Sequence, residues 1–392
     1  MSFIRINKGV PAMAAGITLL MAVSGCALGS PSAQEVEEGG VLKIGMVSSL
    51  TGPAAAYGVP MANGVHALVD HYNKTSDVKI ELVVRDDKTD PTKGAQSVTE
   101  LIHDEGVEVL VGPLISNIVQ AAAPIAAENK VPMLSPTSTA NITDRTKNDW
   151  AEWLFITTAT DSVVAPGYLQ RAAAEGAKDV AIIYEETASG NAGFKLIAEE
   201  AQNHPEVAIV ESVAVAPTAT DFTAQATKIV SKKPDAIIVG ISTIATAAGA
   251  VKAIRQADPD VIIYGNTGMA NKSFIEAAGK DAEGLRLSAF VLDADPNPKV
   301  ANLLELIKGR GDTPAGGFSD VAMASAIDIL VATVERTGEY EGEAIRNALE
   351  SGTPLETLYD EAIVYTKDDH DGITADGMIR TVVRDGDIIK AE

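Results

Sequence analysis

The sequence is poor in cysteine, aromatic residues and basic residues. Its 392 residues include one cysteine, 4% aromatic residues, and 31 Lys and Arg against 54 Asp and Glu, which gives a formal net charge of -23 at pH 7. A single cysteine excludes an intramolecular disulfide, so a hydrophobic core must stabilise the fold. Because the chain is strongly acidic, nucleic acids and anionic lipid surfaces are poor partners, and we predict no nucleic-acid partner.

The sequence also lacks the common motifs of catalysis and phosphate binding. It has no Gly-x-Ser-x-Gly nucleophile turn, no His-Glu-x-x-His zinc motif and no Gly-Lys-Ser/Thr phosphate loop. The five histidines are scattered, and we predict that all of them are solvated surface residues: His66, His71, His103, His204 and His370. We therefore predict no enzyme, no cofactor and no metal site.

The single cysteine follows a segment with the features of an export signal. Two basic residues near the start precede an apolar run at 10–23, and small residues lead to Cys26. The run is shorter than the roughly 20 apolar residues that cross a bilayer, and this order is that of a secretory signal peptide. The tetrad at 23–26, VSGC, resembles a bacterial lipobox, in which the cysteine is lipidated and begins the mature chain.

These features predict how the exported chain is held. We expect residues 1–25 to be a lipoprotein signal peptide and Cys26 to carry a lipid that anchors the protein to the outer face of the cytoplasmic membrane. The segment 26–40 is small, polar and acidic, and it predicts a flexible tether.

From residue 41, short apolar runs alternate with longer, Ala-rich amphipathic segments. Nearly continuous Val, Ile and Leu in the runs predicts parallel strands covered by helices on both faces, an α/β fold long enough for two domains. The predicted strands are 41–48, 78–84, 107–111, 131–134, 179–184, 207–213, 235–239, 260–264 and 284–291. The predicted helices are 58–74, 91–105, 117–129, 161–176, 189–204, 221–232, 243–257, 319–337 and 341–351.

Four of the predicted strands end in loops of small polar residues and glycine. They are 48–52, 112–116, 135–139 and 265–268. Ligands of open α/β sheets bind beyond the carboxyl ends of the strands, so these loops are candidates for a pocket. Such residues also cap helices, and for any one loop alone capping is the better explanation.

Several of these segments form an ordered set of motifs. They are IGMVSSLTGPAAAYG at 44–58, DDKTDP at 86–91, VGPLIS at 111–116, VPMLSPTST at 131–139, RQA at 255–257 and GKDAEG at 279–284. The set resembles the leucine/isoleucine/valine-type, or branched-chain amino acid, substrate-binding proteins of ABC transporters, in their lipoprotein form. The resemblance spans about residues 41–392. It implies the periplasmic binding protein type 1 fold: two Rossmann-like lobes with parallel central sheets, joined by three crossover strands.

The resemblance also implies a division of the chain and a function. Residues 41–159 plus 291–368 form lobe one, and 160–290 plus 369–392 form lobe two. A small polar carboxylate-bearing solute is captured between them by hinge closure and delivered to an ABC importer. The solute is a branched-chain or other amino acid, or an amide, urea or aromatic-acid analogue. The expected partners of this monomer are the solute, the permease and, through the lipid on Cys26, the membrane.

Pocket residues follow from the same resemblance. Ser116 and a stretch that ends in Thr139, with Thr137 and Ser138 inside it, stand where the family holds the ligand carboxylate. Hydroxyls and the N–H groups of a helix N-terminus can hold a carboxylate without a basic partner. Ser116 can also cap the helix that follows it, and one serine can do both. Tyr57 matches an aromatic residue of the family's cleft; its alternative is packing on its own loop.

Two positions depart from the family pattern. Thr267 stands where amino-acid-binding members carry an acid that pairs with the ligand ammonium, and a buried ammonium without a counter-charge is costly. This argues against a free α-amine unless another acid substitutes. Asp161 and Asp320 are candidates, but we expect both to cap helices. Ser189 replaces an aromatic residue, which indicates a different or roomier ligand.

Two other functions stay open at the level of sequence. A ligand sensor that signals through a membrane partner uses the same fold and cleft as a transport protein. A hydrolase that acts on a bound amide or ester is the other alternative, and it would have to work without any of the motifs sought above.

Overall fold

The computed structural model describes residues 40–292 and 294–391 of the chain, without the side chains of Ala188 and Asp376. Cys26, the predicted signal peptide and nearly all of the predicted tether lie outside the described residues. Lipidation and anchoring therefore stay predictions. In the part of the chain that the structure describes, no helix is both long and apolar enough to cross a membrane.

Strands and helices alternate along the chain as the apolar pattern predicts. The strands are β1 (Val41–Ser48), β2 (Lys79–Asp86), β3 (Val109–Val111), β4 (Met133–Ser135), β5 (Leu154–Ile156), β6 (Asp179–Glu185), β7 (Ala208–Val215), β8 (Ala236–Gly240), β9 (Ile262–Gly265), β10 (Arg286–Ala289), β11 (Ile379–Arg384) and β12 (Asp387–Lys390). The helices are α1 (Ala55–Thr75), α2 (Pro91–His103), α3 (Ser116–Glu128), α4 (Asp161–Ala174), α5 (Ala188–Glu200), α6 (Thr223–Val230), α7 (Ile244–Ala257), α8 (Lys272–Ala278), α9 (Pro298–Gly309), α10 (Phe318–Val321), α11 (Ser325–Thr337) and α12 (Gly342–Leu349).

The first sheet contains five parallel strands in the order β2-β1-β3-β4-β5. Successive residues of a strand point to opposite faces, so a strand covered on both sides is apolar throughout. In β1, Ile44 and Met46 lie in a core cluster that includes Val65 of α1. Val47 lies in a different cluster, with residues of α2 and α3. Both faces of this sheet are therefore covered by helices.

The second sheet has the order β12-β11-β10-β9-β8-β6-β7. Strands β6 to β10 pair in parallel, whereas β11 is antiparallel to β10 and β12 is antiparallel to β11. The chain enters this sheet after β5, leaves it after β10 for helices that pack on α1, and returns at β11. These three passages between two Rossmann-like sheets confirm the predicted fold class.

Some elements differ from the prediction. Strand β5 and helix α8 were not predicted, because three apolar residues or two helical turns give too short a pattern to recognise. Helix α9 was missed as well, although its buried residues Val300, Leu303 and Ile307 recur at helical spacing. The predicted helix at 319–337 is two helices, α10 and α11. The break lies against α1, where a Cβ on Gly64 would lie 2.3 Å from the carbonyl oxygen of Asp320.

The prediction that all histidines lie on the surface is wrong for His370, whose side chain is buried. Its ring stacks on Phe155, with centroids 4.0 Å apart, and its Nε2 lies 2.9 Å from a carboxylate oxygen of Glu350. Burial lowers the pKa of His370 below its usual value. The partners come from distant parts of the chain, so the local sequence around His370 carried no sign of them.

A substitution at Gly64 tests whether α1 and α10 pack as closely as the structure shows. Alanine favours a helix over glycine by about 1 kcal/mol, but a Cβ at position 64 forces the backbones apart, at a cost of about 1–3 kcal/mol. We expect Gly64→Ala to lower the free energy of unfolding in urea. Gly193→Ala is the matched control, since a Cβ at position 193 in α5 meets nothing within 4 Å and should be neutral or stabilising. Equal effects of the two changes would contradict this packing.

Candidate functional site

A cavity of about 460 Å³ lies between the carboxyl ends of the two sheets. The segments that follow β1, β3, β4 and β5 line it from the first sheet, and those that follow β6, β8 and β9 line it from the second. All these strands are parallel within their sheets, which brings their carboxyl ends to one edge. The cavity therefore collects short loops that are far apart in the sequence.

Three hydroxyl groups form a cluster at one wall of the cavity. Ser116 Oγ is hydrogen-bonded to Thr139 Oγ1 and lies 3.3 Å from Thr137 Oγ1, and the two threonine hydroxyls are 3.2 Å apart. Ser116 is the first residue of α3, Ile115 is the N-cap, and no side chain caps this helix. The alternative that Ser116 serves as the cap is therefore wrong. The hydroxyl stands beside the positive end of the α3 dipole, which favours an anion.

The predicted ligand residues reach the cavity to different extents. Tyr57, Ser116, Ser138, Ser189 and Thr267 line it directly. The other two predicted residues, Thr137 and Thr139, do not line the cavity. Thr137 is completely buried and Thr139 is half-buried. They contact Ser116 and so orient its hydroxyl.

Asp161 does not cap a helix as predicted. It is the first residue of α4, whose N-cap is Thr160, and its side chain lines the cavity. The carboxylate accepts a hydrogen bond from Ser189 Oγ at 3.0 Å, and its backbone N–H donates to the carbonyl oxygen of Ser138 at 2.6 Å. Burial raises the pKa of Asp161 to about 6. The other candidate acid, Asp320, accepts from backbone N–H groups of the loop before α10.

Glu185 is a cavity residue that the sequence did not reveal. It is the last residue of β6, its side chain is 4% exposed, and it lines the cavity. Burial, and to a lesser extent the charge of Glu185, raises the pKa of Tyr57 to about 12. An acid at the carboxyl end of an apolar strand can indicate a cavity residue. Here the next residue, Glu186, is also an acid, and the sequence does not show which of the two faces the cavity.

Comparison with known proteins gives the fold a family. A model of the periplasmic binding protein family matches residues 41–387. The Leu/Ile/Val-binding protein BraC3 of Rhizobium johnstonii is 30% identical over 322 residues, which cover 81% of this chain and 85% of that protein. The chain belongs to the periplasmic binding protein family. Its relatives place it in the leucine/isoleucine/valine type.

Two further matches cover most of this periplasmic binding protein. The leucine-, isoleucine-, valine-, threonine-, and alanine-binding protein of Pseudomonas aeruginosa is 28% identical over 345 residues, 85% of this chain and 87% of that protein. An extracellular ligand-binding receptor from Rhodopseudomonas palustris HaA2 has a crystal structure that superposes with a TM-score of 0.79 and 26% identity. That match covers 90% of this chain and 100% of the receptor.

Aromatic side chains fill much of the remaining wall of the binding protein's cavity. Six aromatic residues of the described part of the chain line it: Tyr57, Tyr168, Tyr184, Phe194, Phe290 and Phe318. Tyr184 and Phe194 are stacked, with centroids 4.5 Å apart and rings within 3° of parallel. Phe194 lies on α5 a little more than one turn beyond Ser189, so a ring lines this wall although position 189 has none.

The hydroxyl group of Tyr57 joins the two sides of the cavity. Tyr57 lies in α1, beside the first sheet, and donates to the carbonyl oxygen of Ser242, which follows β8 of the second sheet, at 3.1 Å. The alternative that Tyr57 only packs on its own loop is therefore wrong. Among the described residues, none that lines the cavity is Lys, Arg or His.

Burial of the ionised Asp161 carboxylate lowers the free energy of unfolding of the ligand-free protein. A carboxyl whose folded-state pKa is about 6, against 3.8 for an aspartate in water, binds its proton more tightly in the folded state. The free energy of unfolding therefore falls as the pH rises from about 4 to about 6 and stays lower above that range. Asp161→Asn removes this loss, so we expect the ligand-free variant to be more stable than wild type at pH 7, by roughly 1–3 kcal/mol.

Urea unfolding at pH 4.5 and pH 7 measures this effect. Asp328→Asn is the matched control, because burial also raises the pKa of Asp328 to about 6 and Asp328 lies outside the cavity lining. Both changes should flatten the pH dependence between 4 and 6, and only Asp161→Asn should alter solute binding. A ligand-free Asp161→Asn protein less stable than wild type at pH 7 would show that the carboxylate has a structural role.

Proposed function

We propose that this protein captures an amino acid outside the cytoplasm and delivers it to an ABC importer. The observation that carries the proposal is the hydroxyl cluster of Ser116, Thr137 and Thr139 beside the start of α3, in a cavity enclosed by two sheets. The volume of about 460 Å³ lies within the usual range of small-molecule sites. Relatives named for binding leucine, isoleucine and valine support an amino acid as the solute.

The hydroxyl cluster is suited to a carboxylate. Ser116 and Ser138 present hydroxyls to the cavity, and the first N–H groups of α3 have no carbonyl partner within their helix. A hydrogen bond to a charged group contributes about 1.5–3 kcal/mol, so three or four such bonds support micromolar affinity after the entropic costs of binding. Since no basic side chain of the described residues lines the cavity, this arrangement is the means by which it holds an anion.

Closure of the two lobes completes the site. In this proposal lobe one comprises 41–159 and 291–368, and lobe two comprises 160–290 and 369–392. The solute docks on lobe one at Ser116, and lobe two closes over it. The solute favours the closed form through the additional contacts that lobe two makes with it. The hydrogen bond from Tyr57 to Ser242 adds a contact of the protein with itself across the cavity.

Anchoring through Cys26 fits this role. A lipid on Cys26 and a tether of about fourteen residues would hold the binding protein near its permease and raise its effective concentration there without any new contact. Incorporation of labelled fatty acid into wild type, and its loss in Cys26→Ala, would test the anchor separately from solute binding.

Thermal unfolding in the presence of a ligand panel tests the function directly. A protein that binds a solute only in its folded state gains stability as the solute concentration rises. We expect at least one α-amino acid to raise the unfolding temperature, and amides, ureas and aromatic acids complete the panel. If none of these compounds stabilises the protein, capture of an amino acid is the wrong function.

Calorimetry of Ser116→Ala tests the carboxylate site. The change removes a hydroxyl that faces the cavity, so we expect the affinity for the hit from the panel to fall roughly 10- to 100-fold without loss of folding. Ser351→Ala is the control, because Ser351 is exposed and outside the cavity. Unchanged affinity in both Ser116→Ala and Thr139→Val would place the carboxylate elsewhere.

A further inference from the structure

One buried carboxylate in the cavity lacks a partner. Glu185 is 4% exposed, it lines the cavity, and among the described residues its Oε1 has no hydrogen-bond partner. A buried carboxylate oxygen without a partner is costly, and most buried polar groups in proteins are hydrogen-bonded. Because Glu185 lines the cavity, a positive group of a solute can approach its carboxylate there.

The local backbone holds Glu185 in place. The N–H of Thr187 donates to the carbonyl oxygen of Glu185, and Thr187 Oγ1 caps α5 by accepting from the N–H of Gly190. A Cβ on Gly190 would lie 2.0 Å from the same carbonyl oxygen, so only glycine permits this approach. These contacts fix the backbone of Glu185 at a tight strand-to-helix turn beside the cavity.

A second acid lies near the hydroxyl cluster. Asp161 accepts from Ser189 and contacts Ser138, which belongs to the loop that carries the cluster. Its charge also acts on the hydroxyl of Tyr168, which accepts a hydrogen bond from the N–H of Thr267. Asp161 lines the same cavity as Thr267, the residue that replaces the acid of the family pattern.

The charges of the cavity favour a solute with more than one positive group. Two carboxylates line the cavity, and no Lys, Arg or His of the described residues does so. A zwitterionic amino acid with a neutral side chain brings one ammonium, which can balance one acid while its own carboxylate binds the hydroxyls. The other acid then stays unpaired in a buried site, which is unfavourable. A second positive group in the solute removes that cost.

The aromatic wall is compatible with such a group. Tyr184 precedes Glu185 in the chain and stacks on Phe194, and Tyr57 lies within reach of the charge of Glu185. Aromatic faces attract cations by about 0.5–2 kcal/mol, more strongly where water is excluded. Tyr57 can therefore join the carboxylate of Glu185 in a subsite for a cation.

We propose that the solute is a basic amino acid, with its α-ammonium at Asp161 and its side-chain ammonium or guanidinium at Glu185. This inference rests on the proposed function, because it takes the solute carboxylate to bind at the hydroxyl cluster of Ser116. Thr267 cannot pair with a ligand ammonium, which argued against a free α-amine. In this proposal Asp161 supplies the counter-charge instead.

Calorimetry with matched ligands tests the cation subsite without any variant. L-norleucine has the carbon chain of L-lysine without the terminal ammonium, and L-norvaline relates to L-ornithine in the same way. We expect wild type to bind lysine, ornithine or arginine at least tenfold more tightly than norleucine and norvaline. Equal or tighter binding of the neutral amino acids overturns the subsite and leaves amino-acid capture intact.

Glu185→Gln then assigns the preference to one residue. We expect this variant to lose at least tenfold in affinity for the basic ligand and to bind norleucine as well as wild type or better. Glu186→Gln is the matched control, since Glu186 is exposed, lies outside the cavity lining and carries the same charge one residue away. A Glu185→Gln protein that keeps the full preference for the basic ligand overturns the role of Glu185.

The two proposals fail in different ways. Ser116→Ala should weaken basic and neutral ligands alike, whereas Glu185→Gln should weaken only the basic ones. Thermal unfolding of ligand-free Glu185→Gln controls for folding, and we expect no loss of stability, because an unpaired carboxylate is replaced by a neutral amide. If neither basic nor neutral amino acids bind wild type, both proposals are wrong.

Discussion

Parallel strand pairing is the constraint on which the rest of this structure depends. In a parallel sheet all strands end at one edge, and both sheets turn that edge toward the same cavity. The site therefore needs no long insertion, because a hydroxyl or carboxylate placed a few residues after a strand already faces the solute. The hydrogen bond from Tyr57 to Ser242 shows how a single side chain can then link both halves.

The proposals give the cavity an uncharged hydroxyl site for an anion and two acidic sites for cations. On the proposals made above, hydroxyls and a helix dipole hold the solute carboxylate, so no arginine or lysine of the described residues lines the cavity and needs a counter-charge when it is empty. The acids do carry a cost when it is empty. Asp161 shows it as a raised pKa and Glu185 as an oxygen without a partner. A solute that supplies the missing positive charge would stabilise the closed protein.

Much of this arrangement was predictable, and the failures have definite causes. The loops that follow the predicted strands placed Ser116, Ser138 and Thr267 near one cavity, and all three line it. The family pattern did not indicate that Asp161 would replace the acid missing at Thr267, because the substitution comes from a different element of the chain. Glu185 could not be told from Glu186 in the sequence, since both acids follow the same apolar strand and only the orientation at its end separates them.

The sequence by itself determined the class of fold, the helix and strand alternation, the absence of a disulfide in the core and the hydroxyl-rich ends of several strands. These properties are encoded in local periodicity and composition, which can be read within a few turns of helix or a single strand. Tertiary structure alone decided which polar groups meet. Tyr57 and Ser242 are 185 residues apart, and burial of Glu185 depends on helices and strands packed around it from elsewhere in the chain. Contacts of that separation leave no periodic trace, so only the packed fold reveals them.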